Sequence, residues 1–419
     1  METILVIGIV LVFGFVLGEL VTLVRLPKVT GFIAAGLLLN PAIFPYIPER
    51  FVEGAQFMVN LALAIIAFNV GGELKISRLR DLGRGMVSIA IFEAETAFLA
   101  VAAGVILLGP FLPGMPALEF SGLIAIALIL ASLAAPTDPT ATLAVMEEYR
   151  AEGPVSSTIM GVTALDDSIG IINFSLAGAI GAAIAAHAAL NLGNAVIHPL
   201  LEIGGGVGLG VVAGIVFNLI IRLLKREGEG TYIVVILGML TLFFGIAQWL
   251  RVDALLTALV MGVLVTNICL KGETIFSLLE RYIDELIFLI FFTLSGMFLD
   301  YSVLTTTISL IAVYIPLRFL GKYAGTRVGA TLAHAPDEVR HFTAFGLIPQ
   351  GGIVVGLALM VTHQPAFGGI AQIILATIMG AVIIHELIGP AFSKIALMKA
   401  GEISENGQGQ LSSADDGES

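Results

Sequence analysis

An all-α polytopic membrane protein of about 13 transmembrane helices, built as two inverted six-helix repeats with crossed discontinuous helices, is the fold class the sequence predicts. Three observations carry it. Of the 419 residues, 58% are hydrophobic and only 12% charged, with a mean hydropathy of +1.01; soluble domains carry about 25% charged residues. Apolar runs long enough to cross a hydrocarbon core of about 30 Å recur from end to end. Two of those runs, seven spans apart, are interrupted around a proline at corresponding positions.

The spans are read at 4–24, 28–45, 54–74, 85–109, 119–146, 155–184, 195–224, 231–249, 252–270, 283–300, 303–329, 339–363 and 367–393. The first opens on Glu2 with no basic leader and no small-residue cleavage site, so it is expected to be a retained span. Basic residues orient the set. With the N-terminus outside, sixteen of the twenty Lys and Arg fall on the cytoplasmic side, among them Lys28, Lys75, Arg84, Arg150, Arg222, Lys271 and Lys399. Only Arg50 and Arg251 fall outside, and Arg318 and Lys322 lie within the eleventh span.

Thirteen spans divide as six, one and six, and an odd offset turns the second six upside down relative to the first. One transmembrane unit is expected over residues 1–398: repeat one at 1–186, a linker helix at 195–224 and repeat two at 231–398. Residues 399–419, rich in Ser, Gly and acids, are expected to be a disordered cytoplasmic tail. The single cysteine, Cys269, excludes an intrachain disulfide or a cysteine metal cluster.

Span five breaks at Ala135-Pro136-Thr137-Asp138-Pro139-Thr140, and span twelve at Leu347-Ile348-Pro349-Gln350-Gly351-Gly352. Matched interruptions are a sequence pointer to a transport site, whereas a single proline merely kinks a helix. In the span that follows the first broken one stand Asp166 and Asp167, inside an apolar run reaching Ala186. Each membrane-centre carboxylate costs about 2.5–3.5 kcal/mol on insertion scales, so two adjacent ones need a compensating use. Neighbours on a helix point about 100° apart, so one can line a water-filled cavity while the other meets another helix.

Arg318 and Lys322 share one face of the eleventh span and are the cations to meet it. Their alternative is to snorkel to the interface. Proton uptake by a carboxylate paired to such a cation would release the pair, which is a proton-coupled switch. Asp138 has two readings, an ion ligand beside Thr137 or a neutraliser of the positive helix ends at the crossing. Glu93 and Glu95 project to nearly opposite sides of span four, so at most one faces the aspartates; Glu93 and Gln350 are taken as accessory residues. His385-Glu386, deep in the last span, is read as a packed polar pair or a pH-responsive element. No phosphate loop, dinucleotide fingerprint, zinc motif or nucleophile elbow stands in a fitting context, so no cofactor, nucleic-acid partner or enzymatic activity is expected.

Taken in order, several segments resemble the monovalent cation:proton antiporter superfamily with the NhaA/NapA-type fold, over essentially residues 1–398. They are Arg25-Leu26-Pro27-Lys28-Val29-Thr30-Gly31-Phe32 with Gly36 and Pro41, Phe291 to Asp300, Gly321-Lys322 with Gly325, Glu386-Leu387-Ile388-Gly389-Pro390, and above all Asp166-Asp167. The resemblance implies a homodimer in the inner membrane that exchanges Na+, and Li+ with it, for H+ in pH homeostasis. It further implies a mobile core domain moving by elevator-type alternating access against a dimerisation domain. Asp167 would bind cation or proton competitively, with Asp166 and Thr137 as further Na+ ligands. Lys322 would pair with Asp166, with Arg318 as its rival. Adjacent aspartates resemble the electrogenic branch, while Thr137-Asp138-Pro139 and Arg318 resemble the electroneutral one. The other readings are a K+/H+ antiporter on the same scaffold and an organic-anion symporter of similar fold.

Overall fold

The computed structural model describes residues 2–23, 27–113, 115, 119–138, 142–143, 145–146, 149–185, 198–224, 228–362 and 364–403. Sixteen α-helices lie within these residues. The first half holds α1 (Thr3–Thr22), α2 (Lys28–Leu39), α3 (Glu49–Gly54), α4 (Gln56–Glu73), α5 (Ile76–Leu108), α6 (Phe120–Ser132) and α7 (Pro154–Ala185). Then come α8 (His198–Leu223), α9 (Glu229–Leu250), α10 (Ala254–Ile268), α11 (Gly272–Tyr282) and α12 (Asp284–Met297). The last are α13 (Leu304–Leu332), α14 (Asp337–Gly346), α15 (Ile353–Thr362) and α16 (Ile370–Lys399). Seven of them are long and apolar enough to cross a membrane unaided: α1, α4, α5, α7, α8, α9 and α16. Four further apolar helices, α2, α6, α10 and α15, are shorter, at 10–17 residues.

Packing reveals the inverted repeat. Pairing each span with the one seven later maps α1, α2, α4, α5 and α7 onto α9, α10, α12, α13 and α16. The contact α2–α12 then has its mate in α4–α10, α1–α2 in α9–α10, and α5–α7 in α13–α16, while α5–α13 is its own mate. All of these contacts form. Glycines recur at the matched crossings. A Cβ added at Gly36 of α2 would lie 2.8 Å from the Gly296 Cα of α12, and one at Gly262 of α10 would lie 3.1 Å from the Gly72 nitrogen of α4. Close backbone approach through small residues is the usual currency of helix association in lipid.

The same contacts sort the helices into two groups. One gathers α1, α2, α4, α9, α10 and α12, with α8 packed on α10; the other gathers α5, α6, α7, α13, α14, α15 and α16.

The structure corrects several boundaries. Span two ends as a helix at Leu39, not residue 45, because Asn40 turns away to donate to the carbonyls of Met297 (3.0 Å) and Leu299 (2.8 Å). Span four begins near the expected residue 85, at Gly83, whose φ of +75° suits glycine and joins the span to a short preceding helical piece from Ile76. Residues 271–282, read as a loop, form α11, an amphipathic surface helix burying Ile275, Leu278 and Leu279 and leaving Glu273, Glu280 and Arg281 outward. The last helix continues from residue 393 to Lys399, with Lys394 donating to the Tyr149 hydroxyl (2.7 Å).

The tail expected from residue 399 starts too early. Glu402 accepts from the backbone N–H groups of Val155 (2.5 Å) and Ser156 (2.8 Å), capping the N-terminus of α7, and Ile403 is buried beside Val155 and Leu397. An anion at a helix N-terminus satisfies orphan donors and meets the positive end of the dipole. Arg25, Pro139, Thr140, residues 186–197 and the tail from 404 lie outside the described residues.

Candidate ion site at the helix crossing

The two interruptions are real breaks, and they meet. Helix α6 stops at Ser132, α14 stops at Gly346, and α15 begins at Ile353. The chain crosses itself where the Asp138 N–H donates to the Pro349 carbonyl (3.2 Å). Each proline is cushioned by a glycine of the following span: a Cβ at Gly170 would lie 2.8 Å from Pro136 Cδ, and one at Gly389 would lie 3.2 Å from Pro349 Cβ. Two matched Pro–Gly contacts relate the halves at the site itself. Asp166-Asp167 precede Gly170 by the same interval by which His385-Glu386 precede Gly389, so the two polar pairs are repeat-mates.

A helix that ends inside the membrane leaves up to four carbonyls without partners and a negative dipole end. Arg318, 1% exposed, meets both ends at once. Its Nε donates to Ala134 O (2.9 Å), Nη1 to Ile348 O (2.7 Å) and Nη2 to Pro136 O (2.8 Å), with Pro349 O at 3.4 Å. The guanidinium fork, with five donors in a plane, suits several converging carbonyls. Gln350 completes the support: its Nε2 donates to Leu133 O (2.8 Å) and lies 2.8 Å from the Tyr314 hydroxyl, while His385 Nδ1 lies 2.9 Å from its Oε1.

Lys322 lies one turn further along α13. It ion-pairs directly with Glu93 of α5 and donates to Ala135 O (2.6 Å) and Thr137 Oγ1 (2.9 Å). Asp166 Oδ2 stands 3.7 Å from the ammonium and is bonded instead by the Thr137 hydroxyl (2.5 Å). The expected Asp166–Lys322 pair thus forms as a long ion pair, backed by the Thr137 hydroxyl between them, and Arg318 is engaged with carbonyls. Glu95 faces away from Glu93 and accepts from Asn173 (3.1 Å).

Asp167 takes the other direction, as the 100° between neighbours requires. It lines a cavity of about 730 Å³ that opens at the end of the molecule carrying Lys75, Ser77 and Glu273. The walls come from both helix groups: Asn69 and Glu73 of α4, Thr266 of α10, Glu280 of α11 and Asp284 of α12 face Met160, Thr163 and Asp167 of α7. Asp167 Oδ1 and Asp166 Oδ1 have no hydrogen-bond partner among the described residues. Among the described residues, no group of three His, Cys, Asp or Glu side chains makes a divalent-type metal site. Asp138 is buried at the crossing, its N–H on the Pro349 carbonyl.

Of the sequence-predicted residues, Asp166, Thr137, Lys322 and Glu93 join one chain of contacts, and Arg318 and Gln350 belong to the scaffold around the breaks. Sequence reasoning missed Glu73, which sits at the end of a span and reads there as a boundary. It also missed the carbonyl-binding role of Arg318, whose signal was present: a break that exposes carbonyls needs a cation at membrane depth.

Comparison with known proteins gives the same picture. The sequence matches the family described as "Sodium/hydrogen exchanger, transmembrane" over residues 7–399. The chain belongs to that family. It is a multi-pass membrane protein of the cation:proton antiporter superfamily. Among solved structures, the sodium proton antiporter MjNhaP1 from Methanocaldococcus jannaschii, determined at pH 8, superposes with a TM-score of 0.73 at 15% identity. The match covers 95% of this chain and 98% of that one, and at that identity it speaks for a shared fold. Among curated proteins, none matches the sequence.

Proposed function

We propose that this exchanger carries Na+, and Li+ with it, inward or outward against H+ through Asp167. The observation that carries the reading is a membrane-embedded carboxylate with an unpartnered oxygen on the wall of an open cavity, next to a second carboxylate wired to a buried lysine. A hard monovalent cation wants several oxygens. Asp167 and the free Oδ1 of Asp166 offer them, whereas the Thr137 hydroxyl, engaged on both sides, keeps one lone pair for an ion. A proton on Asp167 removes the charge that holds the cation, so the two compete for one site, and competition at a site open to one side at a time is exchange. Asp138 serves as a buried anion at the crossing, next to Gly351 ahead of the half-helix α15, the dipole-neutralising role of its two readings.

The cavity between the helix groups supports an elevator-type cycle, in which the group holding the breaks, the core domain, moves against the other, the dimerisation domain of a homodimer. With the basic ends facing the cytoplasm of an inner membrane, the cavity mouth at Lys75 and Glu273 is cytoplasmic and the conformation inward-facing. The acidic pair backed by basic residues gives an organic anion poor company.

The test is dissipation of ΔpH in everted vesicles on adding Na+, Li+ and K+ in turn, with Asp167→Asn alongside. A Na+ and Li+ response lost in the variant, at unchanged membrane abundance, is expected. A response to K+ alone moves selectivity to the K+/H+ reading, and coupled transport surviving in Asp167→Asn overturns the role of the residue.

A further inference from the structure

An ammonium has three N–H bonds, and around Lys322 three acceptors take them: Ala135 O at 2.6 Å, Thr137 Oγ1 at 2.9 Å and Glu93 Oε1 in direct ion pairing. Asp166 Oδ2, at 3.7 Å, is left outside hydrogen-bonding reach. The closest anionic partner of the site lysine is thus a glutamate from α5, with Asp166 at the longer distance. No hydroxyl, amide or backbone N–H among the described residues bonds either Glu93 oxygen, so its charge is met by the ammonium.

The arrangement follows from how α13 lies on α5. Gly321, Gly325 and Gly329 form a stripe on α13, and a Cβ at Gly325 would lie 2.7 Å from the Glu93 Cα. Contact that close brings Lys322 against Glu93 at the self-mated crossing of the two repeats. Asp166 is then left with a longer ion pair to the lysine at 3.7 Å and a link through Thr137, and its Oδ1 stays unpartnered beside Asp167.

We propose that Glu93 is a positioning residue that holds Lys322 off Asp166 and so keeps Asp166 available to the transported ion. This rests on the reading that cation loads at Asp166 and Asp167. Without a negative charge at position 93, the nearest anion to the ammonium is Asp166. Closing from 3.7 Å to a charge-assisted contact of about 2.8 Å takes only a small swing of the lysine side chain. Asp166 would then be neutralised by the protein, and the ion would lose that carboxylate. A pillar that only held the helices together would not act this way; its loss would lower the amount of working protein or its turnover.

The experiment measures apparent KM and kcat for Na+ in everted vesicles for Glu93→Gln, Glu93→Asp and Asp167→Asn. Glu93→Gln keeps the shape and an acceptor for one N–H and removes only the charge. Its KM is expected to rise about tenfold with kcat within about twofold of the parent, the split that marks lost binding rather than lost turnover. Glu93→Asp keeps the charge but withdraws it by one methylene, so its KM falls between the two. It stands in for Glu93→Gln if that variant does not reach the membrane, where a KM above the parent at parental kcat is required. An unchanged KM, or a kcat loss at constant KM, overturns the proposal. Inactive Asp167→Asn beside an unchanged Glu93→Gln KM removes this proposal alone, whereas exchange surviving in Asp167→Asn removes the site reading and this proposal with it.

Discussion

Replacing Arg318 with Ala should cost the molecule its fold before it costs it any ion selectivity. The guanidinium makes three well-formed bonds, at 2.9, 2.7 and 2.8 Å, to carbonyls belonging to the ends of two different half-helices. Hydrogen bonds to a charged group contribute about 1.5–3 kcal/mol each, so the set is worth about 5–9 kcal/mol before offsets. The offset is desolvation: keeping a guanidinium out of water costs several kcal/mol, and the variant is relieved of it. The truncated site still holds three buried carbonyls without donors and two uncompensated negative helix ends, and removing one side of a buried charged arrangement costs about 3–5 kcal/mol net. That is a large share of a total stability of about 5–15 kcal/mol. The assay is thermal unfolding of the detergent-purified protein, followed by loss of the monodisperse peak, for Arg318→Ala and Arg318→Lys beside the parent. Arg318→Ala should give a much lower midpoint and yield. Arg318→Lys, whose single ammonium cannot span both breaks, should fall between. A parental midpoint in Arg318→Ala together with altered Na+ transport would refute the reasoning, because it would make Arg318 an ion-site charge rather than the clasp of the crossing.

Two further outcomes follow from the packing. Gly325→Leu places a side chain where even a Cβ would lie 2.7 Å from the Glu93 Cα, so it should abolish folded protein while Leu320→Ala, on the exposed face of α13, leaves yield unchanged. Glu402→Ala removes the cap from the N-terminus of α7 and should cost about 0.5–2 kcal/mol, seen as faster hydrogen exchange at Val155 and Ser156 with the KM for Na+ unaltered.

What the sequence made legible was set by strong local physics. Apolar length marked the long membrane-crossing helices, and the matched proline breaks marked where helices stop and meet. The membrane-depth charges pointed to the site because burying each is costly. What stayed hidden depends on three-dimensional reach. Lys322 is four residues from Arg318, yet one grips a glutamate on α5 and the other grips carbonyls from both breaks; spacing cannot separate these roles. Thr137 could be read as an ion ligand from its place in the break, but its engagement by Asp166 and Lys322 depends on where α7 and α13 pass it. Helix α11 escaped notice because its apolar face is only a few residues wide, and Glu402 because an acidic residue in a Gly/Ser-rich segment has no periodicity to mark it.

The most direct test of the central claim is equilibrium binding of labelled Na+ to the purified protein as a function of pH, without a membrane gradient. If cation and proton compete for Asp167, the apparent Kd for Na+ should rise about tenfold for each pH unit of acidification once the site is protonated, the slope that linkage to one proton requires. Asp167→Asn should bind no Na+ at any pH. A Kd that stays flat across the acid range, or Na+ binding that survives in Asp167→Asn, would contradict the account.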